Sequence, residues 1–140
     1  MLVRFATMSI VTCLLTSSAM AETEHTKDSL DKVKQQVADK KAVLIDVREQ
    51  AEWDKGHVDG AVLLPLGELA KKAHDADFAA KLEKMVPKDK VVYCHCAKGR
   101  RALLAADVFQ KLGYDVRPLK PGYQELLDAG FPKAEESQKK

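Results

Sequence analysis

The stretch Lys90-Val91-Val92-Tyr93-Cys94-His95-Cys96-Ala97-Lys98-Gly99-Arg100-Arg101 leads directly into a helical sequence that ends at Leu112. Lys90 to Cys94 is a short apolar run and reads as a buried strand. Residues 101–112 carry Leu104, Val108 and Leu112 along one stripe at helical spacing, and Gly113 follows as the stop. A strand therefore enters the loop and a helix leaves it. Such a turn aims successive backbone N–H groups into one concavity, and the helix N-terminus adds positive potential there. Gly99 permits a turn that a side chain would hinder. Lys98, Arg100 and Arg101 add positive charge. Amide donors and cationic neighbours at a helix N-terminus favour a thiolate over a thiol. The arrangement suits a thiolate nucleophile attacking an anionic substrate. The plainer reading is a small buried cysteine before an ordinary solvated helix start. The combination of strand, Cys, Gly, Arg and apolar helix outweighs it.

Working outward, the same alternation repeats. Residues 26–40 place Leu30, Val33 and Val37 on one helical face, with Thr26 as the cap. Ala42-Val43-Leu44-Ile45-Asp46-Val47 and Ala61-Val62-Leu63-Leu64 read as buried strands, the second stopped by Pro65. Between them, residues 50–55 form a short helix ended by Gly56. Phe78, Leu82, Met85 and Val86 mark a helix closed by Pro87. Residues 114–119 are a further strand, and residues 123–129 a last short helix before Gly130. Strands that are apolar throughout and alternate with helices predict an α/β fold in three layers, a mostly parallel sheet of about five strands with helices on both faces. Ligands bind beyond the carboxyl ends of such strands. Polar residues gather there at Asp46 and Arg48, at the turn Leu66-Gly67, and most densely at residues 94–101.

Composition bounds the rest. The chain has 140 residues, 46% hydrophobic and 31% charged, with 23 Lys and Arg against 21 Asp and Glu. That is one domain's worth of chain, too apolar for a disordered polymer. A net charge of +2 gives no footprint for nucleic acid. Arg4 is the only charged side chain before Glu22, and an apolar run from Phe5 to Leu15 precedes Ala19-Met20-Ala21. Residues 1–21 read as a secretory signal peptide cut after Ala21, which points to an oxidising bacterial periplasm. A lipoprotein signal using Cys13 and a retained membrane anchor are weaker readings, because Thr12 precedes that cysteine inside the apolar run and the run is too short to span a bilayer. The expected domain is residues 22–132, and residues 133–140 a flexible polar tail. Only Cys94 and Cys96 remain in the mature chain. A monomer is expected from the size of the domain.

Cys96, Gly99 and Arg101 match Cys-x-x-Gly-x-Arg, and the stretch resembles the active-site loop of the rhodanese-like (thiosulfate sulfurtransferase) family. Leu44-Ile45-Asp46-Val47-Arg48 resembles the family's Asp-Val-Arg element. Glu52-Trp53 with Gly56-His57-Val58-Asp59-Gly60-Ala61 resembles its Gly-His-containing element, and Leu119-Lys120-Pro121-Gly122-Tyr123 its C-terminal glycine turn. Four ordered motifs together are a specific signal. There are three departures: Ala102 where serine is frequent, Pro121 for a glycine, and Leu126 for a tryptophan. The resemblance implies that Cys96 takes a sulfane sulfur from thiosulfate or a similar small anionic donor, becomes a persulfide, and passes the sulfur to a thiol or cyanide acceptor. It implies no cofactor. The amides of Ala97, Lys98 and Gly99, with Arg101, would stabilise the donor's oxygens. Lys98 and Arg100 would set the charge at the pocket mouth. Asp46, Arg48, Cys94 and His95 would support the loop, with Asp46 and Arg48 tying neighbouring loops together. Trp53 and His57 read as structural, and His25 and His74 carry no signal.

Two alternatives stay open on the residues alone. Counting from Cys94 to Arg100 gives Cys-x5-Arg, the size of loop that handles phosphate or arsenate, although the glycine then falls out of register. Cys94-His95-Cys96 is also a compact set of soft ligands for copper or zinc, in a module that binds metal or sulfane sulfur without catalysis. A Cys94–Cys96 disulfide would be strained, since strand residues two apart are separated by about 6.6 Å. A redox partner would keep Cys96 reduced in the periplasm.

Overall fold

The computed structural model describes residues 22–135, so residues 1–21, expected to be a signal peptide, and residues 136–140 of the expected tail lie outside the described residues. Ten elements follow in chain order: α1 (Leu30–Ala38), β1 (Ala42–Asp46), α2 (Gln50–Asp54), β2 (Val62–Leu63), α3 (Leu66–Lys72), α4 (Ala76–Met85), β3 (Val91–His95), α5 (Arg100–Lys111), β4 (Val116–Pro118) and α6 (Tyr123–Asp128). The strands form one parallel sheet in the order β2-β1-β3-β4. It holds four strands among the described residues rather than about five, one for each apolar run in the sequence.

Side chains alternate across a strand, and the packing follows that alternation. Ile45, Val92 and Cys94 point to one face, where they meet Leu69 of α3, Leu82 of α4 and Ala105, Ala106 and Phe109 of α5. Leu44 and Tyr93 point to the other, where they meet Val33 of α1 and Leu126 of α6. Two apolar layers thus flank the sheet, giving the expected three-layer α/β fold. Leu126, in the position noted for tryptophan, is fully buried in the second layer.

Several local expectations change. The first helix begins at Leu30 rather than Thr26. Ser29 caps it by accepting from the Lys32 amide, while the Thr26 hydroxyl accepts from the Asp28 amide in the preceding turn. The turn expected at Leu66-Gly67 is the start of α3, a helix hidden by Pro65 and Gly67; its signal is the Glu68–Lys72 pair one turn apart and the buried Leu69. The apolar stripe expected on α5 holds only in part: Val108 and Leu112 pack partly buried against the core, while the most buried line runs beside them. Its buried residues are Ala102, Ala105, Ala106 and Phe109, whereas Leu104 is 48% exposed. Small alanines let α5 lie close on the sheet, which leaves Leu104 on the outside. The tail expected from Lys133 is tied down at its start. Lys133 pairs with Val58, the Asp59 amide donates to the Pro132 carbonyl, and the Ala134 amide donates to the His57 carbonyl. Among the described residues no helix is long and apolar enough to cross a membrane.

Candidate active site

The loop after β3 is built around Cys96. The peptide leaves the strand at His95, and Gly99 takes a left-handed conformation with φ 90° before α5 begins at Arg100. That turn directs the Gly99 N–H inward, where it donates to Cys96 Sγ at 3.0 Å. Cys96 is buried at the foot of the loop, while Ala97, Lys98 and Arg100 are exposed along its rim. The C-terminal turn closes the loop from beside it. The Leu119 amide donates to the Cys94 carbonyl and the Tyr123 amide to the Cys96 carbonyl, at 2.8 and 2.9 Å. Gly122 lies so close that a Cβ there would sit 1.7 Å from the Ala97 carbonyl oxygen. The glycine retained in that turn is therefore the one the packing requires, and Pro121 is tolerated beside it.

Arg101 borders the sulfur, but both of its terminal nitrogens are engaged. They donate to the two carboxylate oxygens of Glu52 on α2, at 2.6 and 2.8 Å. Its fork braces the loop against α2, and the guanidinium keeps three further N–H donors beyond these two bonds. The guanidinium holds the Glu52 carboxyl down to about 2, and Glu52, with Cys96 acting in the same direction, keeps Arg101 above its ordinary value. Glu52 was legible only as a letter in a family element, since its partner lies 49 residues away.

Asp46 and Arg48 form a buried pair beneath the site. Arg48 Nε lies 3.0 Å from both Asp46 oxygens, and its Nη2 donates to Asp46 Oδ2 at 2.7 Å and to the Gly56 carbonyl at 2.8 Å. The guanidinium carbon lies 4.2 Å from the centre of the Tyr123 ring. One arginine therefore joins the end of β1, the loop after α2 and the start of α6. Trp53 and His57 stack with ring centres 3.6 Å apart, in keeping with a structural role.

Cys94 and His95 lie elsewhere. Cys94 is buried in the apolar layer beneath α5, its thiol donates to the Ala102 carbonyl at 3.4 Å, and burial pushes that thiol far up. A phosphate-handling loop built on Cys94 does not fit this position: its sulfur is closed off beneath α5, against the Ala102 carbonyl. His95 points to the opposite face of the sheet. Its Nδ1 lies 3.3 Å from the Cys96 carbonyl oxygen, and its Nε2 lies 3.8 Å from Asp46 Oδ2 without a hydrogen-bond partner. Burial pushes the imidazole below its ordinary value, with Asp46 opposing. Strand alternation thus separates His95 from both cysteines, which removes the Cys94-His95-Cys96 metal site. Among the described residues no group of three or more His, Cys, Asp or Glu side chains is placed to hold a metal ion. Both cysteines are free thiols. His25, which carried no sequence signal, reaches the loop, with Nε2 3.0 Å from the Gly99 carbonyl oxygen.

Known proteins share this architecture. The sequence model of the rhodanese-like domain family matches residues 29–129. A candidate mitochondrial thiosulfate sulfurtransferase of Schizosaccharomyces pombe is 36% identical over 119 residues, spanning 77% of this chain and 83% of that protein. The human thiosulfate:glutathione sulfurtransferase is 32% identical over 105 residues, spanning 71% of this chain and 91% of that protein. The structure of a human single-domain sulfurtransferase superimposes with a TM-score of 0.61 at 27% identity, covering 72% of this chain and 94% of that one. The family model spans most of the chain and these relatives cover most of it too, and the chain belongs to the rhodanese-like domain family.

Proposed function

We propose that this protein is a sulfurtransferase that carries a sulfane sulfur on Cys96. The observation that carries the reading is the placement of Cys96 Sγ at the foot of a strand–loop–helix turn, taking the Gly99 N–H at 3.0 Å beside the Arg101 guanidinium. In the first half-reaction the Cys96 thiolate attacks the outer sulfur of thiosulfate. A new S–S bond forms on Cys96, the S–S bond of thiosulfate breaks, and sulfite leaves with the electron pair. In the second half-reaction a thiophilic acceptor, cyanide or a thiolate, attacks the outer persulfide sulfur. The Cys96 thiolate leaves with the electron pair of the cleaved bond, and the enzyme is regenerated. Loop amides stabilise charge that develops on the transferred sulfur, as preorganised donors do at an oxyanion site. Lys98 and Arg100, exposed on the rim, attract the anionic donor. The glutathione-using relative supports a thiol as acceptor. The N-terminal sequence supports export to the periplasm, where a reducing partner keeps Cys96 out of disulfides.

Turnover of thiosulfate and cyanide to thiocyanate tests this, with intact-protein mass spectrometry after thiosulfate alone. Wild type and Cys94→Ala are expected to gain one sulfur atom and turn over; Cys96→Ser is expected to do neither. Persulfide found on Cys94, or turnover surviving Cys96→Ser, would overturn the assignment.

A further inference from the structure

We propose that His25, on the strap of residues 22–29, is a positioning residue that holds the Gly99 carbonyl so that the Gly99 N–H stays aimed at Cys96 Sγ. The inference rests on the reading of Cys96 as the sulfur carrier. Gly99 is the one residue between the loop and α5, and its left-handed backbone sets where both of its polar groups point. Its N–H faces the sulfur. Its carbonyl is the first acceptor of α5, but the helical bond from the Leu103 amide is stretched to 3.4 Å. The shorter contact is His25 Nε2 at 3.0 Å. A carbonyl oxygen only accepts, so Nε2 carries the proton and donates. The outer face of Gly99 is closely covered as well, since a Cβ there would lie 2.7 Å from the Lys120 carbonyl oxygen and 3.0 Å from His25 Nε2. His25 therefore clamps the peptide plane whose partner plane supplies the donor to the sulfur.

The strap is anchored without His25. The Thr26 amide donates to the Pro118 carbonyl at 2.8 Å, at the end of β4. Asp28 accepts from Lys32 at 2.6 Å, from the Tyr93 hydroxyl at 2.7 Å and from Arg117 at 3.0 Å. Removing the imidazole should thus leave the strap in place and free only the carbonyl.

Two variants of the full mature chain test this. His25→Ala removes the donor; His25→Gln keeps an N–H donor near the position of Nε2. In the protein without substrate, the Gly99 amide proton resonance is expected to move in His25→Ala and return toward wild type in His25→Gln. With thiosulfate and cyanide, kcat is expected to fall about tenfold in His25→Ala, with KM for thiosulfate within about twofold, and to recover in His25→Gln. A Gly99 resonance and kcat unchanged in His25→Ala, or a KM effect alone, would overturn the proposal. So would loss of thermal stability in His25→Ala that matches the loss of activity, because that is a purely structural role. If wild type transfers no sulfur, the function reading fails, and the Gly99 resonance still decides whether His25 holds the loop.

Discussion

Cys94 and Cys96 point to the same side of the sheet, yet only Cys96 meets a backbone donor. Cys94 is still within β3 and lies under α5, whereas Cys96 is one residue past the strand end, where the chain turns. Two residues of extra reach replace hydrocarbon with an amide. The brace on Arg101 belongs to the same scale. Glu52→Gln keeps the shape but removes the charge, and turns an amide N–H toward one guanidinium N–H. It is expected to lower kcat/KM for thiosulfate about tenfold, because a misplaced positioning group costs that order of rate. The persulfide should still form on Cys96, which mass spectrometry reads. The pair also has a pH signature. The Glu52 carboxyl is held down to about 2, so its contribution to stability is present above the ordinary carboxylate range and is lost only as pH falls toward that value. Both partners are partly exposed, so the effect is screened by salt. Acid titration of the Glu52→Gln variant should lack that loss, read as a flatter unfolding profile against pH.

At the scale of elements, α5 joins the site to the core. Its first turn follows the loop, and its alanines set how closely it lies on β3 and β4. Ala105→Leu inserts volume into that contact and is expected to cost about 1–3 kcal/mol. Leu104→Ala, on the exposed side, is expected to stay within about 0.5 kcal/mol. Denaturant unfolding of both variants checks the pair, and the reverse order would place Leu104 rather than Ala105 on the buried face, in line with the spacing of Leu104, Val108 and Leu112. That stripe shows the limit of periodicity. Large apolar residues at helical spacing mark a helix correctly, but the face that is buried depends on how closely the neighbouring layer approaches. The same limit hid α3, whose Pro65 and Gly67 read as a turn until Leu69 found a core to enter.

For the whole molecule, the consequential feature is a charged and polar layer buried where the sheet meets the loop. Asp46 and His95 are fully buried and Arg48 nearly so. Burial holds the His95 imidazole below its ordinary 6.5, and Arg48 reinforces this while Asp46 opposes it. The unfolded chain then takes up a proton that the folded chain refuses. Stability is fully present above about 6.5 and falls as pH drops through that value toward the folded one. Thermal unfolding between about pH 7 and about pH 5 should show this decline. His95→Gln, which cannot titrate, should flatten it, and an unchanged slope would assign the decline to other groups. The sequence by itself determined the α/β class, the parallel strands, the strand–loop–helix turn and the spacing of Cys96, Gly99 and Arg101, because each is written in periodicity and composition over a few neighbouring residues. Only the tertiary structure separated Cys94 from Cys96, turned His95 to the other face, gave Arg101 to Glu52, and brought His25 to Gly99. Those pairings join residues 49 and 74 positions apart, and the distance between such groups is set by how layers pack.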